Sequence, residues 1–499
     1  MQRIYKYCLL AAVALMLAAC TEFLSELPTK GTNQPISSLE QMEGLLYGIV
    51  TTSSGYFMET CPVAVFSTDD CHLPLDYCAT NPTRFAWRNV LHYIWDIENL
   101  PDEATDPSWS NQFSLINRAN TVLYYVDKVP GDPAKKAQIK AQAHFHRAYC
   151  YWYLANYYCL PYAPENMQEQ GTPRKLTINN EEDYSHMTLE ETYKLIDADI
   201  AEALKVDIDA ALVTWQADKA TVNAFLSRYY LHRGEYDKAI EAADYALANK
   251  GNVSLKDYNT LVAGNPAYYT NPLDTIRYCE TNNYTNDQIQ RWQELFLGRF
   301  AYAANQWMVP SPALIALYDG NSDMRYKWFM HPNGHRRFTN NISLYRYTMF
   351  SDGRYAWSGP TIQEVMLNKA ECLLRKSSPD IAGALAIVNN LRDHRIAPGT
   401  PGIHLTAATR DEALVKVLEE RRRELPFGHR WWDIRRFSVT ETTVDKVAIT
   451  RIFYVPKNGE IDFTQTKTYM LPVGSRRYAV PIFQVDIDAS EGKLKQNTY

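Results

Sequence analysis

The chain has 499 residues, of which 46% are hydrophobic and 22% charged, and its net charge is −6. This length allows one elaborate domain or two to three intimate subdomains around a large core. The charge balance provides no basic field, which argues against a nucleic-acid partner.

The first 19 residues resemble a secretory signal peptide that ends at a cysteine. Arg3 and Lys6 precede an apolar run over 8–19, and the run closes with Leu-Ala-Ala before Cys20. A membrane-spanning helix needs roughly 20 apolar residues, so the run is too short to span. Leu-Ala-Ala-Cys resembles the bacterial lipobox, so we expect Cys20 to carry acyl chains that anchor the mature protein. An ordinary signal cut nearby is the other interpretation.

Helical patterns dominate the stretch 133–249. A long buried helix is predicted for 133–158, with Pro133 in its first turn, and a second helix for 188–204. Residues 219–249 match a tetratricopeptide repeat, with Gly234 and Tyr236 at the turn between two helices. The small residues of this repeat, which we expect to let its helices approach closely, are Ala239, Ala243 and Ala246.

One such repeat cannot bury its hydrophobic face alone, so a second is expected to stack on it. Residues 361–395 predict that second hairpin, with Thr361 and Glu364 spaced as a capping box. The intervening segment is rich in Asn, Tyr, Asp and Gly and has little periodicity, which is typical of a functional insertion. We divide the chain into a signal peptide 1–19, a lipid tether and helical region 20–250, an irregular insertion 251–355 and a C-terminal region 356–499.

The tail after residue 436 has a different character. The runs 449–457 and 469–483 are strand-like and are broken by Pro and Gly, which predicts a small amount of β-structure. The whole pattern predicts a mainly α fold of tetratricopeptide-type helical hairpins, with an irregular lobe and minor β-structure.

Cysteine usage favours neither a disulfide framework nor a metal centre. Seven cysteines follow Cys20, an odd and sparse set. Cys61, Cys71, His72 and Cys78 cluster, but their spacing matches none of the paired zinc patterns, so we expect no metal and no cofactor. Whether two of Cys61, Cys71 and Cys78 form a loop disulfide is left open by the sequence.

The chain lacks the common catalytic motifs, including G-x-S-x-G, the P-loop, H-E-x-x-H and G-x-G-x-x-G. Asp69 and Asp70 could supply a carboxylate, but a glycosidase needs two acids that flank the scissile bond. A solvated or ligand-facing loop is the other interpretation of this pair. We therefore expect a binding protein rather than an enzyme.

The densest charged motif is LEERRRELPFGHRWWDIRR at 418–436. Its charged residues interleave opposite signs around two tryptophans, and arginine forks pair well with carboxylates. We interpret the motif as a structural ion-pair cluster, with anion binding as the alternative. The residues concerned are Glu420, Arg421, Glu424, Arg430, Asp433 and Arg436.

Five features in order along the chain resemble the SusD/RagB family of outer-membrane nutrient-binding lipoproteins. They are CTEFLSELPTKG, INRANTVL, VMLNKAECLLR, EERRRELPFGHRWWDIRR and LKQNTY. The chain departs from the family where Pro426-Phe427-Gly428 stands in place of Phe-Glu-Gly.

The resemblance implies a helical scaffold with a lobe that binds an oligosaccharide or another nutrient. It also implies a partner, a TonB-dependent transporter of the SusC type, and a lipid anchor in the outer membrane, with the protein facing the exterior. A peptide receptor and a glycoside hydrolase are the alternative functions.

A sugar receptor needs flat rings with hydrogen-bonding groups around them. Aromatic residues in the irregular stretches are the candidates, although tryptophans are well buried on average and each of these could belong to the core. The candidates are Tyr77, Arg84, Trp87 and Trp95 in the first stretch, and Tyr278, Trp292 and Trp307 in the insertion.

Overall fold

The computed structural model describes residues 36–47, 58–60, 62–80, 86–100, 106–179, 182–208, 216–264, 279–302, 308–332, 345–350, 355–457 and 459–499. The signal peptide and Cys20 lie outside these ranges. Helices predominate and strands are short, which confirms the predicted mainly α fold. The helices are α1 Leu39–Tyr47, α2 Pro62–Phe66, α3 Leu75–Thr80, α4 Trp87–Tyr93, α5 Pro107–Tyr125, α6 Pro133–Tyr158, α7 Leu189–Ala203, α8 Lys219–His232, α9 Tyr236–Ala248, α10 Asn286–Gln290, α11 Pro312–Ile315, α12 Met324–Phe329, α13 Ile362–Arg375, α14 Ile381–Asp393, α15 Arg410–Glu424, α16 Arg430–Phe437 and α17 Gln484–Ala489.

The long helices pair as hairpins that stack on one another. Helix α5 packs on α6, α8 on α9, and α13 on α14. Helix α9 also packs on α13, so the two predicted hairpins are neighbours although the segment 251–355 separates them in sequence. Helix α15 packs on both α13 and α14 and closes this side of the stack.

Small residues allow α8 and α9 to approach closely. The side chains of Ala239, Ala243 and Ala246 have no exposed surface. Gly234 lies in the turn between the helices with φ +72°, a conformation that L side chains rarely adopt. The local sequence therefore sets both the packing and the turn of this repeat.

Side-chain caps begin several of the helices. Thr188 and Glu191 form a complete capping box at the start of α7. At α13, Thr361 Oγ1 accepts from the backbone N–H of Glu364 at 3.3 Å. The Glu364 carboxylate lies against Arg228 at 2.7 Å instead of returning to Thr361, so this predicted box is only half formed.

The strands of the described residues form four sheets. The strands are β1 Met58–Thr60, β2 Gln170–Pro173, β3 His186–Thr188, β4 Phe300–Tyr302, β5 Met330–Pro332, β6 Tyr345–Tyr347, β7 Tyr355–Trp357, β8 Ile449–Lys457 and β9 Glu460–Leu471. Strand β4 pairs in parallel with β1, Met58 opposite Phe300, and antiparallel with β7, where Phe300 lies opposite Trp357. The sheets β2–β3, β5–β6 and β8–β9 are antiparallel pairs.

The long hairpin β8–β9 partly corrects the sequence prediction. Strand β8 has the predicted bounds, but β9 begins at Glu460 and ends at Leu471. Of the second strand-like run, 469–483, only the first three residues lie in β9. Pro472 cannot donate to a ladder, and Gly474 turns the chain with φ +74°.

The C-terminal end of α6 is buried, and the C-terminal part of the chain satisfies its carbonyls. The last carbonyls of a helix have no partner within the helix. Val480 N–H donates to the Tyr157 carbonyl at 2.8 Å, and Asn497 Nδ2 donates to the Tyr158 carbonyl at 2.9 Å. Arg435 Nη2 donates to the carbonyl of Cys159 at 2.7 Å. A buried helix end is thus closed by residues far away in sequence.

A large hydrophobic core runs through the hairpins, the small sheets and the C-terminal segment, and Leu231, Ala239 and Cys372 form a second, smaller cluster. Among the described residues, no helix combines the length and the hydropathy that crossing a membrane requires.

Candidate functional site

The first group of predicted ligand residues lies around α3 and α4. Tyr77 and Trp95 are both 2% exposed. Trp95 Nε1 donates to the Ser67 carbonyl at 2.9 Å, and the Arg451 guanidinium lies 4.6 Å from the Trp95 ring centroid. Their rings therefore pack as core side chains in this structure, the alternative that the sequence left open.

Trp87 differs from these two residues because it is half-buried and begins α4. Its neighbour Arg84 lies outside the described residues. Among the predicted ligand residues that the structure describes, Trp87 is the one whose ring keeps an accessible surface, and it stays the candidate contact of this group.

Trp292, from the insertion, is 5% exposed. Its Nε1 donates to Glu294 Oε2 at 2.9 Å, and its ring packs edge-to-face on Phe350 with centroids 5.3 Å apart. Arg395 Nη2 donates to the same Glu294 carboxylate at 2.8 Å. Trp292 is therefore part of a buried polar network. Tyr278 and Trp307 lie outside the described residues.

Asp69 and Asp70 are held by the arginines of the C-terminal motif. Arg430 donates to both oxygens of Asp69, at 2.7 and 2.8 Å, and Arg422 Nε donates to Asp70 Oδ1 at 2.7 Å. The two acids thus dock onto α15 and α16, with Asp70 fully buried and the Asp69 side chain 21% exposed. Burial opposes ionisation of Asp69, but the Arg430 and Arg422 guanidiniums lower its pKa. Burial raises the pKa of Asp70.

The acidic and basic residues of the motif pair with one another and with α13. Arg421 Nε donates to Asp433 Oδ2 at 2.8 Å, and Arg436 Nε donates to Asp433 Oδ1 at 2.9 Å. Arg436 also forms a two-pronged pair with Glu371 at 2.5 and 2.7 Å. The exposed fraction of each of these side chains is 5% or less. The motif is thus a set of buried ion pairs that join α13, α15 and α16.

Glu420 and Glu424 extend the network on the other side of α15. Arg392 Nη1 donates to Glu420 Oε2 at 2.7 Å, and Arg395 Nη2 donates to Glu424 Oε1 at 2.8 Å. Arg325 reaches both carboxylates, at 2.7 and 2.9 Å. Burial opposes ionisation of Glu420, but the surrounding arginines lower its pKa to about 2.

The turn 426–428, where the chain departs from the family pattern, has its own constraints. Phe427 has φ +62°, and its N–H donates to Asp70 Oδ2 at 2.9 Å. A Cβ at Gly428 would overlap the Trp357 carbonyl oxygen. The turn therefore places an N–H on Asp70 and brings the backbone against β7.

Two of the clustered cysteines are described. Cys71 and Cys78 are buried free thiols, and burial raises the pKa of both, that of Cys71 to about 12. Cys61 lies outside the described residues. Within the described part of the chain, no group of three or more His, Cys, Asp or Glu side chains is placed to hold a metal ion.

A cleft of about 320 Å³ lies between α5, the segment 173–184 and α17. Trp109, Phe113 and Asn117 line it from one face of α5, at the spacing i, i+4 and i+8. The Trp109 and Phe113 ring centroids are 4.9 Å apart, and the ring planes are tilted by 52°. The cleft is therefore walled on one side by an aromatic stripe.

The opposite sides of the cleft carry charged groups. Lys175 is 5% exposed; its Nζ bonds to the Asn179 carbonyl and lies 3.4 Å from Glu182 Oε2. Asp486 Oδ2 is buried and accepts no hydrogen bond from the residues that the structure describes. Burial and the nearby Asp106 carboxylate raise the pKa of Asp486 to about 6.

Sequence reasoning missed this cleft. Trp109, Phe113 and Asn117 lie at helical spacing, a pattern that more often marks core, and α17 comes from the far end of the chain. A useful signal was Asn117 on the same face as the two rings, because a core face seldom carries an asparagine. The neighbouring Asn120, also in INRANTVL, holds the Lys175 carbonyl with Nδ2 at 3.2 Å.

Comparisons with known proteins match both parts of the chain. Residues 59–231 match a family model described as "Starch-binding associating with outer membrane", and residues 354–499 match the model of the SusD family. SusD-like protein P2 of Formosa agariphila is 25% identical over 372 residues, which are 66% of this chain and 71% of that protein.

Solved structures share the fold. A SusD superfamily protein from Bacteroides thetaiotaomicron has a TM-score of 0.63 and 17% identity, with 93% of this chain and 100% of that one covered. A SusD-like carbohydrate binding protein from Bacteroides vulgatus has a TM-score of 0.60 and 18% identity, with 92% and 97% covered.

The fold and its buried ion pairs define a helical-hairpin protein whose C-terminal part closes onto its N-terminal helices. The chain belongs to the SusD family.

Proposed function

We propose that this protein is a lipid-anchored receptor of the outer membrane that binds an oligosaccharide or polysaccharide and delivers it to a TonB-dependent transporter of the SusC type. The observation that carries the proposal is the match of two SusD-family models, in order, to the two parts of the chain. The description of the first model names starch binding and the outer membrane, and Leu-Ala-Ala-Cys20 supports the anchor.

The ion pairs of Asp69 and Asp70 support a binding function rather than catalysis. Asp69 and Asp70, the pair considered for hydrolysis, are occupied by Arg430 and Arg422. A general acid of a glycosidase needs a carboxyl group that can protonate the leaving oxygen, and a retaining or inverting enzyme needs a second acid across the bond. Two adjacent carboxylates that are each paired with a guanidinium do not present that arrangement.

Trp87 is our proposed glycan contact in the first stretch. Its ring is accessible at the start of α4, and binding hot spots are enriched in Trp, Tyr and Arg. Stacking of a sugar ring on an aromatic face combines apolar contact with a polar rim.

The test uses the full chain, purified from native membranes in mild detergent. We expect native gels that contain soluble starch, laminarin or xylan to retard the protein. We expect Trp87→Ala to weaken binding by about 1–3 kcal/mol, whereas Tyr124→Ala, at an exposed ring of α5, leaves affinity unchanged. The same preparation should contain a TonB-dependent barrel, identified by mass spectrometry.

Two results would contradict the proposal. If no polysaccharide retards the protein while calorimetry detects binding of a casein digest, the peptide-receptor alternative replaces glycan binding. If the preparation repeatedly lacks a barrel, delivery to a SusC-type transporter is wrong.

A further inference from the structure

We infer that the cleft between α5, the segment 173–184 and α17 is a binding site for a single neutral sugar ring, distinct from the stretch that contains Trp87. The inference rests on the proposed function, since it assumes that the protein's ligands are glycans. Trp87 does not line this cleft.

The size and walls of the cleft fit one ring rather than a chain. Its volume of about 320 Å³ lies at the lower end of ligand pockets, which run from about 300 to 1,000 Å³. The aromatic wall consists of Phe113, which is half-buried, and Trp109, which is 6% exposed. A sugar presents an apolar C–H face to such a wall, and the tilt between the rings gives it two surfaces to contact.

Two polar side chains, Asn117 and Asp486, line the cleft beside its aromatic wall. Asp486 Oδ2 is buried without a hydrogen-bond donor among the described residues, and a buried oxygen in this state costs free energy until a donor reaches it. A sugar hydroxyl is a suitable donor. The exposed Asn117 amide on the opposite wall can both donate and accept.

The charges around the cleft argue against an anionic ligand. Lys175 Nζ is already paired with Glu182 and the Asn179 carbonyl, so it leaves no free positive group to attract an anion. The Asp486 carboxylate would repel one. Sugar hydroxyl groups can donate to this carboxylate without bringing a net charge.

The segment that carries Lys175 is fixed by hydrogen bonds that do not involve a ligand. Tyr151 OH donates to the Lys175 carbonyl at 2.8 Å, and Asn120 Nδ2 donates to the same carbonyl at 3.2 Å. This side of the cleft is thus preformed, which lowers the entropic cost of binding.

The experiment measures saturation-transfer NMR of the full chain with glucose, galactose and mannose as probes. At least one hexose should give a signal, and Phe113→Ala should lower its affinity at least tenfold. Asn117→Ala and Asp486→Asn should lower affinity, and the far-UV circular-dichroism spectrum of each variant should remain that of the unmodified protein. Tyr124→Ala, at an exposed position of α5 that does not line the cleft, should bind the hexose like the unmodified protein.

The inference is overturned if none of the three hexoses gives a signal, or if Phe113→Ala, Asn117→Ala and Asp486→Asn all bind as tightly as the unmodified chain. Its failure is distinguishable from failure of the proposed function. If polysaccharide still retards the protein in native gels, the receptor function stands and only the cleft is wrong. If no glycan of any length binds, both are wrong.

Discussion

Glu371 has no exposed surface and lies between two arginines in the core of the helical stack. Its Oε1 accepts from Arg436 at 2.5 Å and from Arg375 at 2.6 Å. Burial opposes ionisation, but these guanidiniums lower the pKa of Glu371 to about 2. The carboxylate is therefore charged in the folded protein at all but very acidic pH.

We expect Glu371→Gln to lower the free energy of unfolding at pH 7 by about 3–5 kcal/mol, because breaking a buried pair leaves charges without a partner. A folded-state pKa below the ordinary value of 4.5 contributes stability that is present above pH 4.5 and is lost as the pH falls towards about 2. Urea unfolding of the unmodified protein should show this loss, and the variant should show a smaller one. Some loss should remain because the pKa of Glu420 is also about 2.

The matched control is Glu241→Gln, at an exposed position of α9. Its stability and its pH dependence should equal those of the unmodified protein. Equal stability of Glu371→Gln and the unmodified chain at pH 7 would show that the pair contributes nothing net.

The sequence partly predicted the ion pairs of the charged motif. The alternation of Glu and Arg in 418–436 predicted pairing, because opposite charges at this density rarely remain solvated individually. The sequence did not predict which residues outside the motif pair with its arginines. Arg430 meets Asp69 and Arg436 meets Glu371, and no local pattern links residues so far apart.

Helix α6 is the element on which the two parts of the chain meet. Its buried C-terminal carbonyls accept from Val480, Asn497 and Arg435. The Arg435 guanidinium also places a positive charge at the end of a helix where the macrodipole is negative. Burial lowers the pKa of Arg435 to about 10, so it still carries its charge at neutral pH.

We expect Asn497→Ala to cost about 1–3 kcal/mol, because its Nδ2 donates both to the Tyr158 carbonyl at 2.9 Å and to the Val480 carbonyl at 2.8 Å. Urea unfolding measures the loss. Lys495→Ala, at an exposed position in the same tail, is the control and should be within about 0.5 kcal/mol of the unmodified protein. A loss as large for Lys495→Ala would mean that the tail contributes as a whole rather than through Asn497.

At the scale of the whole molecule, ion pairs join segments that are far apart in the sequence. Asp69 and Asp70 dock on Arg430 and Arg422, and Arg228 of α8 forms a buried pair with Glu364 of α13. The ranges 59–231 and 354–499 that match the family models are therefore two parts of one packed body rather than independent modules.

The proposed lipid anchor at Cys20 also concerns the whole molecule. We expect Cys20→Ser to be exported but released from the membrane fraction, because serine has no thiol to accept the lipid. Fractionation with palmitate labelling measures this, and Cys8→Ser, inside the apolar run of the signal, should remain anchored. Labelling that persists in Cys20→Ser would contradict the lipobox assignment.

The sequence by itself determined the long helices α6 to α9, α13 and α14, and the family. The bounds of α6, the turn at Gly234 and the small residues of α9 follow from local periodicity, caps and side-chain size, which act over a few residues. The tertiary structure decided which aromatic residues are accessible, and it buried Trp95 and Trp292 while bringing Trp109, Phe113 and Asp486 to one cleft. These outcomes depend on contacts between segments hundreds of residues apart, and such contacts form only when the C-terminal part closes onto the N-terminal helices.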